Sequence, residues 1–262
     1  MGTYLDRILA GHRAAAAADL RPLEALLDEA RQCEPARPFE AALAFTGERQ
    51  LAVIAEVKRR SPSRGDLAVD LDAAEVALAY DRGGATCLSV LTDTEWFGGS
   101  VADLQAARAA VDLPVLRKDF TVAARDVADA RLMGADALLL IVAALDDAEL
   151  ADLHGLGREL GLDVLVEVHD EAELERALTV GSTMIGVNQR DLVTFAVDTE
   201  RAVRVARLMP EGIVRVAESG ITGTADAVVL AAAGFHAVLV GESVVTSGDR
   251  AGSVTRLRVR RR

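Results

Sequence analysis

The sequence contains only two lysines, although lysine and arginine together number 29. Each of the two, Lys58 and Lys118, follows a short apolar run that predicts a buried β-strand. Arginine is a poor acid near neutral pH, whereas the pKa of a partly buried lysine can be lowered into that range. We therefore interpret Lys58 and Lys118 as acid–base residues. The alternative is a compositional bias that left two lysines at random positions.

Two glutamates lie in corresponding positions near strand ends. Glu56 precedes Lys58 by two residues and follows Ile54 by two, and alternate residues of a strand point to the same face. Glu167 is in phase with Leu165 in the same way. A parallel strand buried on both faces is expected to be almost purely apolar, so charges in phase with interior positions indicate a functional site. Further polar residues at predicted strand ends are Asn188, Arg190 and Glu218.

Two glycine-containing loops have the form of a phosphate site. Ser219-Gly220 follows the seventh predicted strand, and Gly241-Glu242-Ser243 follows the eighth and opens the last helix. Backbone N–H groups and a helix N-terminus at such positions bind phosphate in many barrel enzymes. The Glu242 side chain would then point away while its N–H group faces the anion. The alternative is two ordinary turns at helix starts.

The segment 59–65 follows the first predicted strand and is polar, basic and bounded by proline and glycine. These features favour a mobile lid over the site, and a solvated connector is the alternative.

The four histidines give weaker signals than the lysines. His12 and His154 are predicted on surface helices, His169 at the start of a helix, and His236 at the opposite end of the fold from the site. No two of them have metal-ligand spacing. We assign none to chemistry and predict no metal.

The elements that position these residues repeat eight times. Short apolar runs alternate with amphipathic helical segments such as 101–110, 146–160, 171–180 and 225–233. The predicted strands are Leu51–Val57, Thr86–Leu91, Leu113–Leu116, Ala137–Ile141, Val164–Val168, Met184–Val187, Ile213–Val216 and Ala237–Val240. Eight such units favour a single (β/α)8 TIM barrel over an open sheet, and its active site is expected at the C-terminal ends of the strands.

Residues 1–48 are predicted to be a helical N-terminal extension that packs on the barrel. Leu5, Ile8 and Leu9 share one helical face, and prolines at 35 and 38 interrupt the pattern. The barrel itself is predicted over residues 49–262, with both parts forming one structural domain.

Composition limits the partners and the compartment. The net charge of −12 argues against nucleic-acid or anionic-membrane partners, and an anionic substrate would need a local positive pocket. Cys33 and Cys87 show no paired spacing, so neither a disulfide nor a zinc site is expected. The N-terminus has no signal-peptide pattern and the longest apolar run, 137–145, is too short to span a bilayer, so we expect a cytoplasmic protein.

Taken in order, the strand ends resemble the indole-3-glycerol-phosphate synthase family. The opening Ile54-Ala55-Glu56-Val57-Lys58-Arg59-Arg60-Ser61-Pro62-Ser63 is similar to the family's hallmark. Later matches are Leu116-Arg117-Lys118-Asp119-Phe120, Val166-Glu167-Val168-His169, Gly186-Val187-Asn188 and Ala217-Glu218-Ser219-Gly220-Ile221. The resemblance runs from about Tyr4 to Val245. Gln189 stands where the family commonly has Asn, and the segment 244–248 lacks the usual Met-Arg.

The resemblance implies a carboxy-lyase reaction of tryptophan biosynthesis. The family converts 1-(2-carboxyphenylamino)-1-deoxyribulose 5-phosphate into indole-3-glycerol phosphate, with loss of carbon dioxide and water and without a metal or organic cofactor. An acid must protonate the ketone oxygen during ring closure, and a second acid–base step must expel the hydroxyl group.

The resemblance also implies roles for individual residues. Lys118 is the acid for ring closure, and Glu167 and Lys58 carry out the dehydration, with the acid and the base left open between them. Glu56 and Asn188 orient Lys118 and the substrate hydroxyls, and Ser219 completes the catalytic set. The predicted substrate- and phosphate-binding residues are Ser61, Arg190, Glu218, Gly220, Gly241 and Glu242.

Three rival interpretations remain. A phosphoribosylanthranilate isomerase has the same fold but would have cysteine where this chain has Lys58. A Schiff-base aldolase would use Lys118, and an inactive scaffold would need none of these charges. We expect a monomer, with a weak dimer as the alternative.

Overall fold

The structure is a computed structural model that describes residues 3–45, 50–191 and 193–261. Eight parallel strands close into a barrel in which each strand is hydrogen-bonded to its neighbours. Barrel strands 1 to 8 are, in chain order, Ala52–Val57, Cys87–Leu91, Val115–Lys118, Ala137–Ile141, Asp163–Val168, Met184–Asn188, Val214–Glu218 and Ala237–Val240. The predicted (β/α)8 barrel is confirmed.

Three strands continue beyond their predicted ends. Barrel strand 3 reaches Lys118 instead of Leu116, and strands 6 and 7 reach Asn188 and Glu218. Hydrophobic patterning ends strands 3 and 6 before Arg117 and Asn188, but these polar side chains have partners within the fold. Arg117, for example, is buried and donates from Nη1 to the backbone oxygen of Asp126 at 2.8 Å.

Helices surround the barrel, and most begin at an acidic or hydroxyl side chain that caps the first turn. Asp146 and Asp170 accept hydrogen bonds from the N–H groups of Glu149 and Glu173, respectively. The longer outer helices are Ala73–Arg82, Val101–Ala110, Ala124–Leu132, Asp147–Glu159, Glu171–Thr179, Arg201–Ala206, Thr224–Ala232 and Arg250–Leu257. Short helical turns cover Thr94–Phe97, Val142–Ala144 and Glu242–Val245.

The strand register brings the polar strand ends to one level of the barrel. Cα partners across neighbouring strands are Glu56 with Ser89, Leu91 with Lys118, Ile141 with Glu167, and Asn188 with Glu218. Below this level the interior is filled by buried aliphatic side chains, among them Ile54, Leu116 and Leu165. The packed floor fixes the backbone from which the polar side chains project.

Three helices precede the barrel: Tyr4–Ala18, Leu23–Arg31 and Phe39–Ala44. Ile8 in the first is buried near the C-terminal mouth, and Phe39 and Leu43 in the third are fully buried. The N–H group of Glu40 donates to Asp163 Oδ2 at 2.8 Å, at the start of barrel strand 5. The predicted boundary between residues 48 and 49 lies outside the described residues.

The segment after barrel strand 1 folds into a short antiparallel ribbon, Arg60–Ser61 with Gly65–Asp66. Arg59, at the start of this segment, forms an ion pair with Asp103, with Nη2–Oδ1 and Nε–Oδ2 distances of 2.6 Å and 3.0 Å. The predicted lid is therefore anchored at its N-terminal end to helix Val101–Ala110. The motion of the lid stays a prediction.

Candidate active site

Lys118 lies among carboxylates at the centre of the barrel mouth. Its Nζ donates to Glu167 Oε2 at 3.0 Å and lies 3.5 Å from Glu218 Oε2. Both glutamates are almost fully buried. An ammonium group shared between two buried carboxylates limits the cost of burying each charge and fixes the direction of the lysine side chain.

The two glutamates differ in how many donors they receive. Glu167 accepts from Asn188 Nδ2 at 3.0 Å on Oε1 and from Lys118 on Oε2. Although burial opposes ionisation, Lys118, His169 and these hydrogen bonds lower the pKa of Glu167 to about 2. Among the described residues, Oε1 of Glu218 has no hydrogen-bond partner. Burial and the neighbouring charge of Glu167 raise the pKa of Glu218 to about 8, although the charge of Lys118 acts in the opposite direction, and this favours the protonated form of Glu218.

The expectation that burial lowers the pKa of a catalytic lysine is wrong for Lys118. Burial does act in that direction, but the charges of Glu167, Glu218 and Glu56 outweigh it and raise the pKa of Lys118. The resting enzyme therefore holds this lysine fully in its acid form.

The second lysine has a carboxylate of its own. Lys58 Nζ lies 2.5 Å from Glu56 Oε1, and Ser89 Oγ donates to Glu56 Oε2 at 3.3 Å. A Cβ at Gly241 would lie 2.3 Å from Glu56 Oε1, so glycine there lets barrel strand 8 approach the pair. The alternation from Ile54 agrees with the structure, since Glu56 and Lys58 both line the cavity at the mouth.

Asn188 connects the carboxylate group to the loop that follows it. Its Oδ1 accepts from the N–H group of Arg190 at 3.0 Å while its Nδ2 holds Glu167. The Arg190 guanidinium donates to the backbone oxygen of Phe195 at 3.2 Å and lines the cavity. The Asn188 amide thus orients both the Glu167 carboxylate and the loop that carries Arg190.

The loops after barrel strands 7 and 8 lie side by side at the mouth. Ser219 has a positive φ of 64°, which a non-glycine residue rarely adopts, and Gly220 follows with φ 69°. Gln189 Nε2 donates to the backbone oxygen of Ser219 at 2.7 Å, and Ser243 Oγ donates to that of Ile221 at 3.0 Å. This backbone conformation turns the strand 7 loop towards the cavity beside Gly241.

The lid ribbon closes the same side of the mouth. Ser61 is buried and its Oγ accepts from the N–H group of Arg64 at 3.2 Å. Arg64 Nε lies 2.7 Å from Glu242 Oε1, so the Glu242 carboxylate is held by the lid.

These groups line one cavity of about 800 Å³, which also includes Tyr4, Leu5 and Ile8 from the first helix. The structure brings all twelve predicted site residues to this cavity: Lys118, Glu167, Lys58, Glu56, Asn188, Ser219, Ser61, Arg190, Glu218, Gly220, Gly241 and Glu242. Their roles stay predictions. Glu218, predicted with the substrate- and phosphate-binding residues, lies beside Lys118 at the cavity floor.

Two histidines lie nearer the site than the sequence indicated. His12 is not a surface residue, because its Nε2 lies 3.0 Å from Asp93 Oδ2 and 3.8 Å from Asp119 Oδ1. His169 Nε2 lies 3.5 Å from Glu167 Oε1. Helical periodicity places His12 on a face of its helix, but it does not show which face of the barrel that helix covers.

Sequence reasoning also missed Ser89 and Gly186. Ser89 looks like a small strand residue, and its contact with Glu56 follows only from the strand register. A Cβ at Gly186 would lie 2.1 Å from Glu218 Oε1, so glycine makes room for that carboxyl group. A glycine inside a predicted apolar strand was the one available signal.

His12, Asp93 and Asp119 are the one group within the described ranges whose donor atoms could hold a metal ion. Asp93 Oδ1 already accepts from the N–H groups of Trp96 and Phe97, and Asp119 Oδ1 from that of Phe120. These contacts indicate a structural cluster that joins the first helix to the barrel.

The fold and the site define a (β/α)8-barrel enzyme with paired lysines and glutamates in a cavity beside two glycine-containing loops. A family model described as indole-3-glycerol phosphate synthase matches residues 5–257. The chain belongs to this family, which consists of carboxy-lyases of tryptophan biosynthesis that act on a phosphorylated small molecule.

Curated relatives with this name are similar over nearly the whole chain. The protein from Nocardioides sp. is 51% identical over 263 residues, covering 97% of this chain and 98% of the relative. That from Mycobacteroides abscessus is 49% identical, covering 98% and 94%, and that from Mycolicibacterium smegmatis is 51% identical, covering 97% and 93%.

Solved structures of other enzymes share the fold at low sequence identity. A thiamine phosphate pyrophosphorylase from Pyrococcus furiosus gives a TM-score of 0.58 at 17% identity, covering 80% of this chain and 94% of its own. An N-acetylmannosamine-6-phosphate 2-epimerase from Clostridium perfringens gives 0.59 at 14% identity, covering 73% and 86%. No helix within residues 3–45, 50–191 and 193–261 is long and apolar enough to cross a membrane.

Proposed function

We propose that Lys118 is the acid for ring closure on 1-(2-carboxyphenylamino)-1-deoxyribulose 5-phosphate and that Glu167 and Lys58 carry out the dehydration. The observation that carries this assignment is the position of Lys118, whose Nζ is held between Glu167 and Glu218 on the floor of the cavity.

In the first step, the ring carbon that bears the carboxylate forms a bond with the ketone carbon. The ketone oxygen takes a proton from Lys118 and becomes a hydroxyl group. Carbon dioxide then leaves, and its bonding electrons restore the aromatic ring. Lys118 suits this step because the direction of its ammonium group is fixed before the substrate binds.

In the last step, the hydroxyl group leaves as water and a proton leaves the neighbouring ring carbon. One of Glu167 and Lys58 protonates the hydroxyl and the other takes the carbon-bound proton, which yields the indole ring. Glu56 orients Lys58 through the 2.5 Å contact between Oε1 and Nζ. Asn188 orients Glu167 through the 3.0 Å hydrogen bond from Nδ2 to Oε1. The protonated Glu218 donates a hydrogen bond to a substrate oxygen.

The phosphate is proposed to bind between the loops after barrel strands 7 and 8. Backbone N–H groups of Ser219, Gly220, Gly241 and Glu242 are suited to an anion, because the carboxylate of Glu242 is held by Arg64. Ser61 and Arg190 complete this side of the cavity. The cations Lys58, Lys118, Arg64 and Arg190 line the same cavity as Glu56, Glu167, Glu218 and Glu242, so an anionic substrate is proposed to be attracted by individual cations and not by a net positive cavity.

We further propose that residues 1–48 and 49–262 form one structural unit, with the first helix as a wall of the cavity. We also propose a cytoplasmic monomer that needs no cofactor and has no nucleic-acid or membrane partner, and the net charge of −12 argues against the last two partners.

The proposed reaction is tested by following indole fluorescence with the purified chain and this substrate. Steady formation of indole-3-glycerol phosphate is expected. A folded protein that forms none would overturn the proposal. Borohydride trapping of a carbonyl substrate on Lys118 would instead favour a Schiff-base aldolase.

A further inference from the structure

His169 links the cavity to the outer helices without lining the cavity itself. It directly follows barrel strand 5, and its side chain is 11% exposed. Its Nε2 lies 3.5 Å from Glu167 Oε1, and its Nδ1 lies 3.0 Å from Glu173 Oε2. The imidazole ring is therefore held between two carboxylates, one in the active site and one on helix Glu171–Thr179.

The contact with Glu173 fixes the tautomer of the ring. Glu173 Oε2 also accepts from the backbone N–H group of His169 at 2.7 Å, so it is an ionised acceptor with two donors converging on it. Nδ1 must then carry a hydrogen. A neutral His169 would have its unprotonated Nε2 facing an oxygen of Glu167.

Two lone pairs facing each other in a buried site are unfavourable, and within the described residues Nε2 has no hydrogen-bond partner. A proton on either Nε2 or Glu167 Oε1 removes this repulsion. Asn188 and Lys118 already stabilise the ionised form of Glu167, so the proton belongs on His169. The other charged group that faces the ring is Arg201 on helix Arg201–Ala206, which opposes protonation.

We infer that His169 is a positioning residue, which acts as an imidazolium to keep Glu167 ionised and correctly oriented, so that Glu167 is the base of the dehydration step and Lys58 the acid. This inference rests on the role proposed for Glu167. Burial alone would lower the pKa of His169, but the Glu173 hydrogen bond and the charges of Glu167 and Glu173 raise it. The Glu173 side chain is 18% exposed, so protons from solvent can reach His169 and Glu167 through it.

The first test measures the ring itself and does not depend on turnover. Nitrogen NMR of histidine-labelled enzyme should show both nitrogens of His169 protonated at pH 7. The signal is assigned by its loss in His169→Asn. Glu173→Gln and Glu167→Gln should each lower the pKa of His169, because each removes one of the two carboxylates. A ring that is neutral at pH 7 would overturn the inference even if the enzyme turns over normally.

The second test separates positioning from packing. The amide of His169→Asn can still donate towards Glu173, but this variant has no group in place of Nε2. We expect kcat to fall about tenfold with KM nearly unchanged, less than the about 100-fold expected for loss of an acid–base group itself. The acidic limb of the kcat–pH profile should move to higher pH, because Glu167 loses a neighbouring positive charge.

His154→Asn is the matched control, since His154 is partly buried on the outer helix Asp147–Glu159 and does not line the cavity. It should change neither kcat nor its pH profile. An unmoved acidic limb in active His169→Asn would contradict the inference and leave the proposed function intact. Absence of turnover in the unmodified enzyme would instead contradict the proposed function.

Discussion

Lys118 Nζ donates to Glu167 Oε2 at 3.0 Å across the barrel mouth, joining the end of strand 3 to the end of strand 5. The contact places the acid proposed for ring closure directly beside a group proposed for dehydration. A substrate that reaches one of these side chains is within reach of the other, so both steps can proceed without release of an intermediate.

Replacing Lys118 with arginine should nearly abolish turnover while preserving the fold. Arginine keeps the positive charge between Glu167 and Glu218, but it is a poor proton donor at neutral pH. We expect kcat to fall by at least about two orders of magnitude. Arg207→Lys, on an exposed surface position, is the control. Near-normal turnover by a folded Lys118→Arg enzyme would remove Lys118 from its proposed role.

Glu218→Gln should imitate the protonated form of the carboxyl group. Because the pKa of Glu218 is raised to about 8, the wild type should lose kcat/KM as Glu218 ionises above that pH and repels an anionic substrate. The variant should retain most of its kcat/KM at pH 7 and lack this ionisation. The two pH profiles measure the difference, and an identical ionisation near pH 8 in Glu218→Gln would assign it to another group.

Inorganic phosphate should compete with the substrate at the loops after strands 7 and 8. The positive φ values at Ser219 and Gly220 and the open backbone at Gly241 motivate this expectation. A crystal soaked in phosphate should show the anion between these loops, and inhibition should be competitive. An anion bound only elsewhere would contradict the assignment.

The stability of the fold should fall in mild acid because of His236. Its Nδ1 accepts from the N–H group of Arg215 at 3.1 Å, and burial together with Arg261 and Arg215 lowers its pKa to about 4. The unfolded chain binds this proton near pH 6.5, so the stabilisation is complete above pH 6.5 and is lost as the pH falls towards 4.

The expected loss in the free energy of unfolding is about 1–2 kcal/mol after allowance for solvent screening. In His236→Asn, the side-chain oxygen can accept the same hydrogen bond without titrating. Chemical denaturation at pH 7 and pH 4.5 measures the effect. An equal loss in both proteins would show that His236 does not cause it.

The sequence predicted the barrel and its charged strand ends because both follow from local patterns. The alternation of Ile54, Glu56 and Lys58 fixed the face of barrel strand 1, and the order of eight such strands fixed their common mouth. The roles of His12 and His169 could not be predicted in this way, since each depends on contacts with other elements. His12 contacts Asp93, which lies 81 residues later in the chain.

The direction in which the pKa of Lys118 shifts could not be predicted either. Local sequence shows that a lysine is buried, but whether its pKa is raised or lowered depends on how many carboxylates surround it. Glu56, Glu167 and Glu218 come from three strands, and only the register brings them together. The same holds for Glu218, whose pKa is raised by burial and by the charge of Glu167, and both depend on the packing of neighbouring strands.

The division of labour between Lys118 and Glu167 can be measured by rapid-quench single turnover of Glu167→Gln. Release of labelled carbon dioxide reports ring closure with decarboxylation, and indole fluorescence reports dehydration. Glutamine keeps the volume of Glu167 and can accept one of its two hydrogen bonds, from Asn188 or from Lys118, but it cannot move a proton. The account predicts carbon dioxide release close to the wild-type rate and indole formation at least about 100-fold slower, with neither product from Lys118→Arg. Indole formation by Glu167→Gln at the wild-type rate would contradict it.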